Sequence, residues 1–422
     1  MNRHERRRRI LDALRKTPSA ALAPPDIYDP DDVAAMLREI GIALVEVAQP
    51  TSIVKDRLDL IAARYTTQRV RTVVLPTMLL IQIGREAYEI DGSTRSSLQL
   101  DAAGRIDHIA SLAEAGAITP TDAVVAVAAA RSRPPRFGKA ATITASAVTS
   151  VGFGMMINPT WASLPGYFFL GLVAGAILML SKPLPSLTPI LPTLAAFVVT
   201  LLASWFVVET ANDGLLRVIS PALVAAIPGM ALAVGATELA ASQIISGASR
   251  LVFGMSQLAL LVFGVIIGMH LAGPVAPQTP SSQMGSWSLY LAIIVVGLSL
   301  SVYLSAPPGS LFWLTAAIAV ALITQQLASI VIAPTHAGFL GAVMAVLFAN
   351  LATRIKTAPP AVVLIVASFW SLVPSTTSFM SVSQAATGGN GDISSLGQVG
   401  SAILSIALGT LVGWSIFRTI DG

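Results

Sequence analysis

From Lys139 onward, apolar stretches of about twenty residues follow one another with short polar breaks, and about twenty is the length a helix needs to cross a bilayer. They run from Ala140 to Ile157, Ser163 to Leu180, Thr188 to Val208, Leu216 to Gly235 and Leu251 to Ala272. Five more run from Trp287 to Ser305, Leu311 to Ile332, His336 to Thr353, Ala361 to Met380 and Val399 to Phe417. Before Arg136 the pattern is that of a fold in water. Val33, Met36, Leu37, Ile40, Leu44 and Val47 recur at helical spacing behind Asp31 and Asp32, and a second helix fits Thr51 to Tyr65. Val70 to Leu75 and Thr77 to Ile83 read as strands around Pro76, Asp91-Gly92 as a turn, and Asp101 to Ala115 and Thr121 to Arg131 as helices. The expected architecture is therefore an all-α membrane bundle of about ten helices (137–422) preceded by a small α/β domain (31–136), with a disordered basic tail over 1–30.

Composition agrees with two solvents. Only 11% of the 422 residues are charged and 54% are apolar, against about 25% charged in a soluble protein. Nineteen of the 26 basic and 17 of the 22 acidic residues precede Phe137. The densest basic run, Arg6 to Arg9, reads as a solvated tail near anionic lipid, not as a nucleic-acid surface. No apolar stretch follows it closely enough for a signal peptide, so the N-terminus is expected in the cytoplasm. With that orientation Lys182, Arg250, Arg354, Lys356 and Arg418 fall on the inner side, as positive charges should, and Glu209, Asp213 and Asp392 on the outer side, with Arg217 as the exception. A multi-pass inner-membrane protein with both termini cytoplasmic follows. The absence of cysteine excludes disulfides, thiolate catalysis and Cys-ligated metals. No metal or cofactor site is expected.

The soluble part carries no catalytic signature. His108 has no nucleophile at a telling spacing, Ser96-Ser97 and Asp91 lie in a loop without a nucleophile elbow, and no phosphate-binding glycine loop is present.

The apolar part repeats itself. Pro165-Gly166 pairs with Pro308-Gly309, Pro192-Thr193 with Pro334-Thr335, Pro228-Gly229 with Pro374-Ser375, and Gly264/Gly268 with Gly409/Gly413, in the same order at offsets of 142 to 146 residues. Five spans per unit (137–272 and 273–422) is an odd number, so the second unit is expected upside down, the plan by which secondary transporters alternate access. Proline inside a span frees a carbonyl a turn earlier, tolerable where protein, water or ligand meets it. Pro228 and Gly229, with Ser371, Pro374, Ser375, Thr376 and Thr377 in the repeat and Pro192 and Thr193 beside them, are therefore the candidate substrate-binding residues. The glycine pairs read as close helix packing. Glu238, His270 and His336 are the ionisable groups nearest the spans and the candidates for proton coupling.

From Asp31 on, the chain resembles the threonine/serine exporter family. The residues that carry the resemblance are Glu39 to Leu44 with Pro50-Thr51-Ser52, Leu75-Pro76-Thr77, the Arg131 to Arg136 junction and Pro192-Thr193 with its repeat. They continue with Ile227-Pro228-Gly229, Glu238-Leu239 and Ser246-Gly247 to Arg250. Pro374-Ser375 and Gln49-Pro50 stand where the family favours glycine. The resemblance implies a cytoplasmic N-domain, ten spans and export, by antiport, of threonine and serine driven by protons or membrane potential, in a chain that can form homo-oligomers. The alternatives are export of another small hydrophilic solute such as a dicarboxylate, as in relatives split over two chains, and a hydrolase with its catalysis in the N-domain.

Overall fold

A computed structural model describes residues 22, 24, 27–91, 99–274, 282–372, 383 and 393–421. The first helix, α1 (Pro30–Glu46), starts where the Asp29 carboxylate accepts from the Asp31 amide at 3.0 Å, with Pro30 in its first turn. After α2 (Thr51–Tyr65), strands β1 (Val70–Val74), β2 (Met78–Ile83) and β3 (Glu86–Asp91) form an antiparallel sheet in that order. β3 goes beyond the sequence reading. Its Glu86, Glu89 and Asp91 hide the strand signal, and a tight turn with Gly84 at φ +60° returns it along β2. The expected turn at Asp91 is the end of this strand; Gly92, Ser96 and Ser97 lie outside the described residues.

Helices α3 (Leu100–Glu114) and α4 (Pro120–Ser132) complete this part, α4 being capped by the Thr119 hydroxyl on the Asp122 amide at 3.2 Å. The buried side of β2, through Leu79, Ile81 and Ile83, packs with Leu37, Ile40 and Leu44 of α1 and Leu58 and Ile61 of α2. Burying each such side chain favours the fold by about 2 kcal/mol. Arg131 of α4 grips α1 with a fork on Glu46 at 2.7 and 3.0 Å and a third bond to Glu39 at 3.1 Å.

The rest is helical: α5 (Lys139–Ile157), α6 (Leu164–Ser181), α7 (Leu191–Ala211), α8 (Leu215–Ala226), α9 (Gly229–Ala240), α10 (Ile244–Ala272), α11 (Ser288–Tyr303), α12 (Leu311–Ala328), α13 (Pro334–Ala352), α14 (Ala361–Leu372) and α15 (Ile393–Asp421). Among the described residues seven helices are long and apolar enough to cross a membrane, and α8 with α9, bent by 68°, makes an eighth if the pair is one span. α11 and α14 are shorter apolar helices. Every expected span thus meets helix, but the described part of the ninth stops at Leu372, and the fourth is broken in two. α10 begins at Ile244, ahead of the expected Leu251, because Gly247 lets its first turns lie against Gly235 and Leu239 of α9. Large apolar side chains such as Val252, Phe253 and Phe263 point outward from α10, the reverse of a helix in water.

Close approach recurs at the glycine pairs. A side chain at Gly264 or Gly268 would strike Thr193, Phe197 or Thr200 of α7, and one at Gly409 or Gly413 would strike Phe339, Val343 or Val346 of α13. Gly409→Val is expected to lower the stability of the purified full chain by about 1–3 kcal/mol. Gly397→Ala, where no heavy atom lies within 4 Å of the added carbon, should leave stability unchanged or raise it by up to about 1 kcal/mol. Thermal melts of both proteins in detergent check this, and equal behaviour of the two would show that the α13–α15 contact does not depend on small residues.

Candidate functional site

Two helices of the N-terminal part, α2 and α3, lack a side-chain cap of their own, since Pro50 and Gln99 occupy the capping positions. The apolar bundle supplies the missing acceptors. The Glu238 carboxylate of α9, fully buried, accepts from the Thr51 amide at 2.8 Å, and its other oxygen lies 3.1 Å from the Arg250 guanidinium of α10. The Leu304 and Ser305 carbonyls after α11 accept from the Leu100 and Asp101 amides at 3.0 Å each, and Ala306 accepts from Arg136 at 3.2 Å. Gly104 of α3 faces Pro307, Pro360 and Val363.

Beside these contacts a half-open cavity of about 850 Å³ lies between the N-terminal part and the bundle, within the range of small-molecule sites. Its bundle wall is one face each of α9 (Met230, Val234, Thr237) and α14 (Val362, Ile365, Val366, Phe369), with the end of α13 (Asn350, Thr353) and α15 (Thr410, Trp414). Spacings of three and four put each set on one side of its helix. The other wall is the α1–α2 turn at Gln49 and Pro50, with α2 and α3.

Charge gathers on the N-terminal wall and at the rim. Arg57 of α2 donates to Asp107 at 2.6 Å and to Glu114, both on α3, and Gln49 donates to Asp107 at 3.3 Å. Burial lowers the Arg57 pKa, but the two carboxylates outweigh it and the net shift is upward. Burial pushes the Glu114 carboxyl above its ordinary range, against the pull of Arg57. His108 and Lys356 are exposed at the rim. No described bundle-helix residue lining the cavity is ionisable, and no group of three or more metal-ligating side chains occurs among the described residues.

The candidates from the sequence separate. Pro228 and Gly229 form the break that starts α9, next to Met230 on the cavity wall. Ser371, buried near the end of α14, donates within its own helix to Ser368 at 2.8 Å. Pro192 and Thr193 open α7, where Thr193 meets Gly264, away from the cavity. Pro374, Ser375, Thr376 and Thr377 lie outside the described residues. Glu238 sits inside α9 rather than beyond the fourth span, in the ion pair with Arg250. His270 is exposed and bonds Ile266 of its own helix at 3.0 Å, while exposed His336 lies 3.2 Å from the hydroxyls of Ser401 and Ser405; neither lines the cavity. The sequence reading passed over Arg57, Asp107, Thr237, Asn350, Thr353 and Thr410, although Asn350 and Thr410 were legible as polar residues inside expected spans. A second buried polar centre joins the α5–α6 and α7–α8 turns, where Asn158 donates to Tyr167 at 3.0 Å and to Asp213.

A family model for threonine/serine exporters (ThrE) matches residues 35–272, more than half of the chain. No curated protein and no solved structure gives a significant match.

Glu238→Ala leaves Arg250 and the Thr51 amide without their shared partner, and breaking a buried ion pair in this way costs about 3–5 kcal/mol. A lower melting temperature and faster proteolysis between Ser132 and Lys139 are expected in the full chain, with partial recovery in Glu238→Gln, which keeps an acceptor for Thr51. Wild-type melting and proteolysis in Glu238→Ala would show that the N-terminal part is held without this contact.

Proposed function

The chain belongs to the threonine/serine exporter family, and on that footing we propose that it exports threonine and serine through the cavity between its N-terminal part and its apolar helices. The observation that carries the reading is the composition of the wall, in which α9 from the first half of the bundle faces α13, α14 and α15 from the second. A cavity at the junction of two halves is where a carrier that rocks one half against the other keeps its solute. As a member of an exporter family with seven to eight candidate spans, the chain is a multi-pass membrane protein; we further propose the inner membrane, with the N-terminal part cytoplasmic.

Two features support the finer points. Arg250, paired to the carboxylate that caps α2, and Lys356, in a cleft shared with Asp101 and Arg105, sit at the end of the bundle that holds the N-terminal part. That distribution fits positive charge on the inner side. The glycine pairs also pack alike: Gly264 meets Thr193 and Ala196, and Gly268 meets Phe197 and Thr200, while Gly409 meets Phe339 and Ala342, and Gly413 meets Val343 and Val346. The two contacts superpose at a constant 146-residue offset along α7 and α13, one turn from the Pro-Thr pairing seen in the sequence. This favours a repeated unit; with five expected spans in each, we read the second as inverted, and α8–α9 as one broken span of ten. Uphill export requires a source of energy, and we assign that role to protons, for which Asp107 and Glu114 are the acidic groups on the cavity wall.

Val234→Trp, placed mid-face on α9, should narrow the cavity. In proteoliposomes it is expected to slow efflux of labelled threonine on the order of tenfold, equivalent to about 1.4 kcal/mol of barrier, at unchanged insertion and with stability lowered by no more than about 1–3 kcal/mol, the cost of overpacking one buried site. Efflux at the wild-type rate would place the solute's route elsewhere.

A further inference from the structure

The polar side chains that the bundle helices turn toward the cavity share one property. Thr237 donates its hydroxyl proton to Ala233 at 2.8 Å, Thr410 to Ile406 at 2.8 Å and Thr353 to Asn350 at 2.6 Å, and the Asn350 amide donates to Val346 at 2.8 Å, in each case a carbonyl of its own helix. With their single donors engaged, the three hydroxyls keep only acceptor oxygens, while Asn350 keeps its side-chain oxygen as an acceptor and one of its two amide N–H groups. Thr237, Asn350 and Thr410 are each more than nine-tenths buried. Asn350 and Thr353 also stand at the C-terminal end of α13, where the helix dipole is negative. Trp414, one turn from Thr410, adds an aromatic ring to the same wall, and ring faces attract cations.

The opposite polarity lies close by in the chain. Lys356 follows α13, and α14 begins at Ala361 with Pro360, Ala361 and Val362 on the cavity wall, so a positive helix end and an ammonium share that rim. On the N-terminal wall, the side-chain oxygen of Gln49, in a residue 7% exposed, has no hydrogen-bond partner among the described residues. It is a further acceptor without a donor.

We infer that Thr237, Asn350, Thr353 and Thr410 form an ammonium-binding subsite, and that Lys356 with the first turn of α14 receives a carboxylate, so that the cavity orients a zwitterion. The inference rests on the export reading and goes further, because it names the residues that discriminate an amino acid from a dicarboxylate. A dicarboxylate would set its second carboxylate against four acceptor oxygens and a helix C-terminus with a single amide N–H of Asn350 to meet it, whereas an ammonium offers three donors to those oxygens.

The test is transport by the full chain in proteoliposomes with three probes: L-threonine, its deaminated analogue 3-hydroxybutyrate, and succinate. Threonine alone is expected to move at an appreciable rate in the wild type. The isosteric variants Thr353→Val and Thr410→Val are each expected to raise the KM for threonine roughly tenfold, the factor for a lost hydrogen bond to a charged group, with melting temperature unchanged. Threonine transport with wild-type KM in both variants would overturn the subsite and leave the export reading standing. Transport of 3-hydroxybutyrate or succinate as fast as threonine would overturn the ammonium subsite without any variant. Movement of none of the three would overturn the export reading and the subsite with it.

Discussion

One buried carboxylate sets the geometry of the whole site. Glu238 lies inside an apolar helix with no exposure to water, a position that is costly for a charge without partners. Its partners come from two directions: Arg250 from the neighbouring helix and the Thr51 amide from the start of α2. Because Pro50 gives α2 no cap of its own, the same contact that stabilises the charge completes a helix of the N-terminal part. The N-terminal wall of the cavity, from Gln49 to Arg57, is therefore held in register with α9. A second helix-end exchange, from the carbonyls after α11 to the amides of α3, fixes the orientation. With both in place Asp107, Arg57 and Glu114 stand over the cavity.

Much of the architecture was legible because membrane helices announce themselves by length and hydropathy. The helices of the N-terminal part were readable from spacing, but the first cap is Asp29, ahead of the expected Asp31 or Asp32, which lie in the first turn behind Pro30, and the last helix starts at Pro120 behind the Thr119 cap. β3 was not, because its charged residues broke the apolar pattern. The site was harder for a different reason. Sequence singles out residues that break a local rule, and Pro228 does so: the chain bends by 68° there. The cavity wall, however, is built from residues that obey local rules. Thr237, Thr410 and Asn350 bond within their own helices as such residues commonly do, and Arg57 with Asp107 and Glu114 looks like ordinary surface charge. What unites them is that α2, α3, α9, α13, α14 and α15 converge, and convergence of distant segments leaves no local trace. His270 and His336 illustrate the converse, being conspicuous by type and lying away from the cavity.

The chemistry of the cavity follows from what its wall lacks. Its bundle-helix lining among the described residues has no ionisable side chain, so a solute that enters leaves water without meeting a full charge on those helices. Fixed dipoles take that place: hydroxyl and amide oxygens, one helix end and the beginning of the next. Weak, distributed partners suit a carrier better than a strong ion pair, because a solute held by a buried salt bridge would leave slowly. The strong pairs of the structure are instead intramolecular, at Arg57, Arg131 and Glu238, where they fix the scaffold.

The distribution of helix lengths carries the last step. α9, cut from α8 at Pro228, puts Met230 and Val234 on the cavity wall. By contrast α10 and α15, at 29 residues each, approach α7 and α13 closely through glycine contacts. Under the export reading the broken α8–α9 pair is the part that can shift, and the glycine-packed α10–α7 and α15–α13 pairs are the parts that resist. The hinge then belongs at Pro228. The Glu238 contact, ten residues further along the same short helix, ties any movement of α9 to the N-terminal part that covers the cavity.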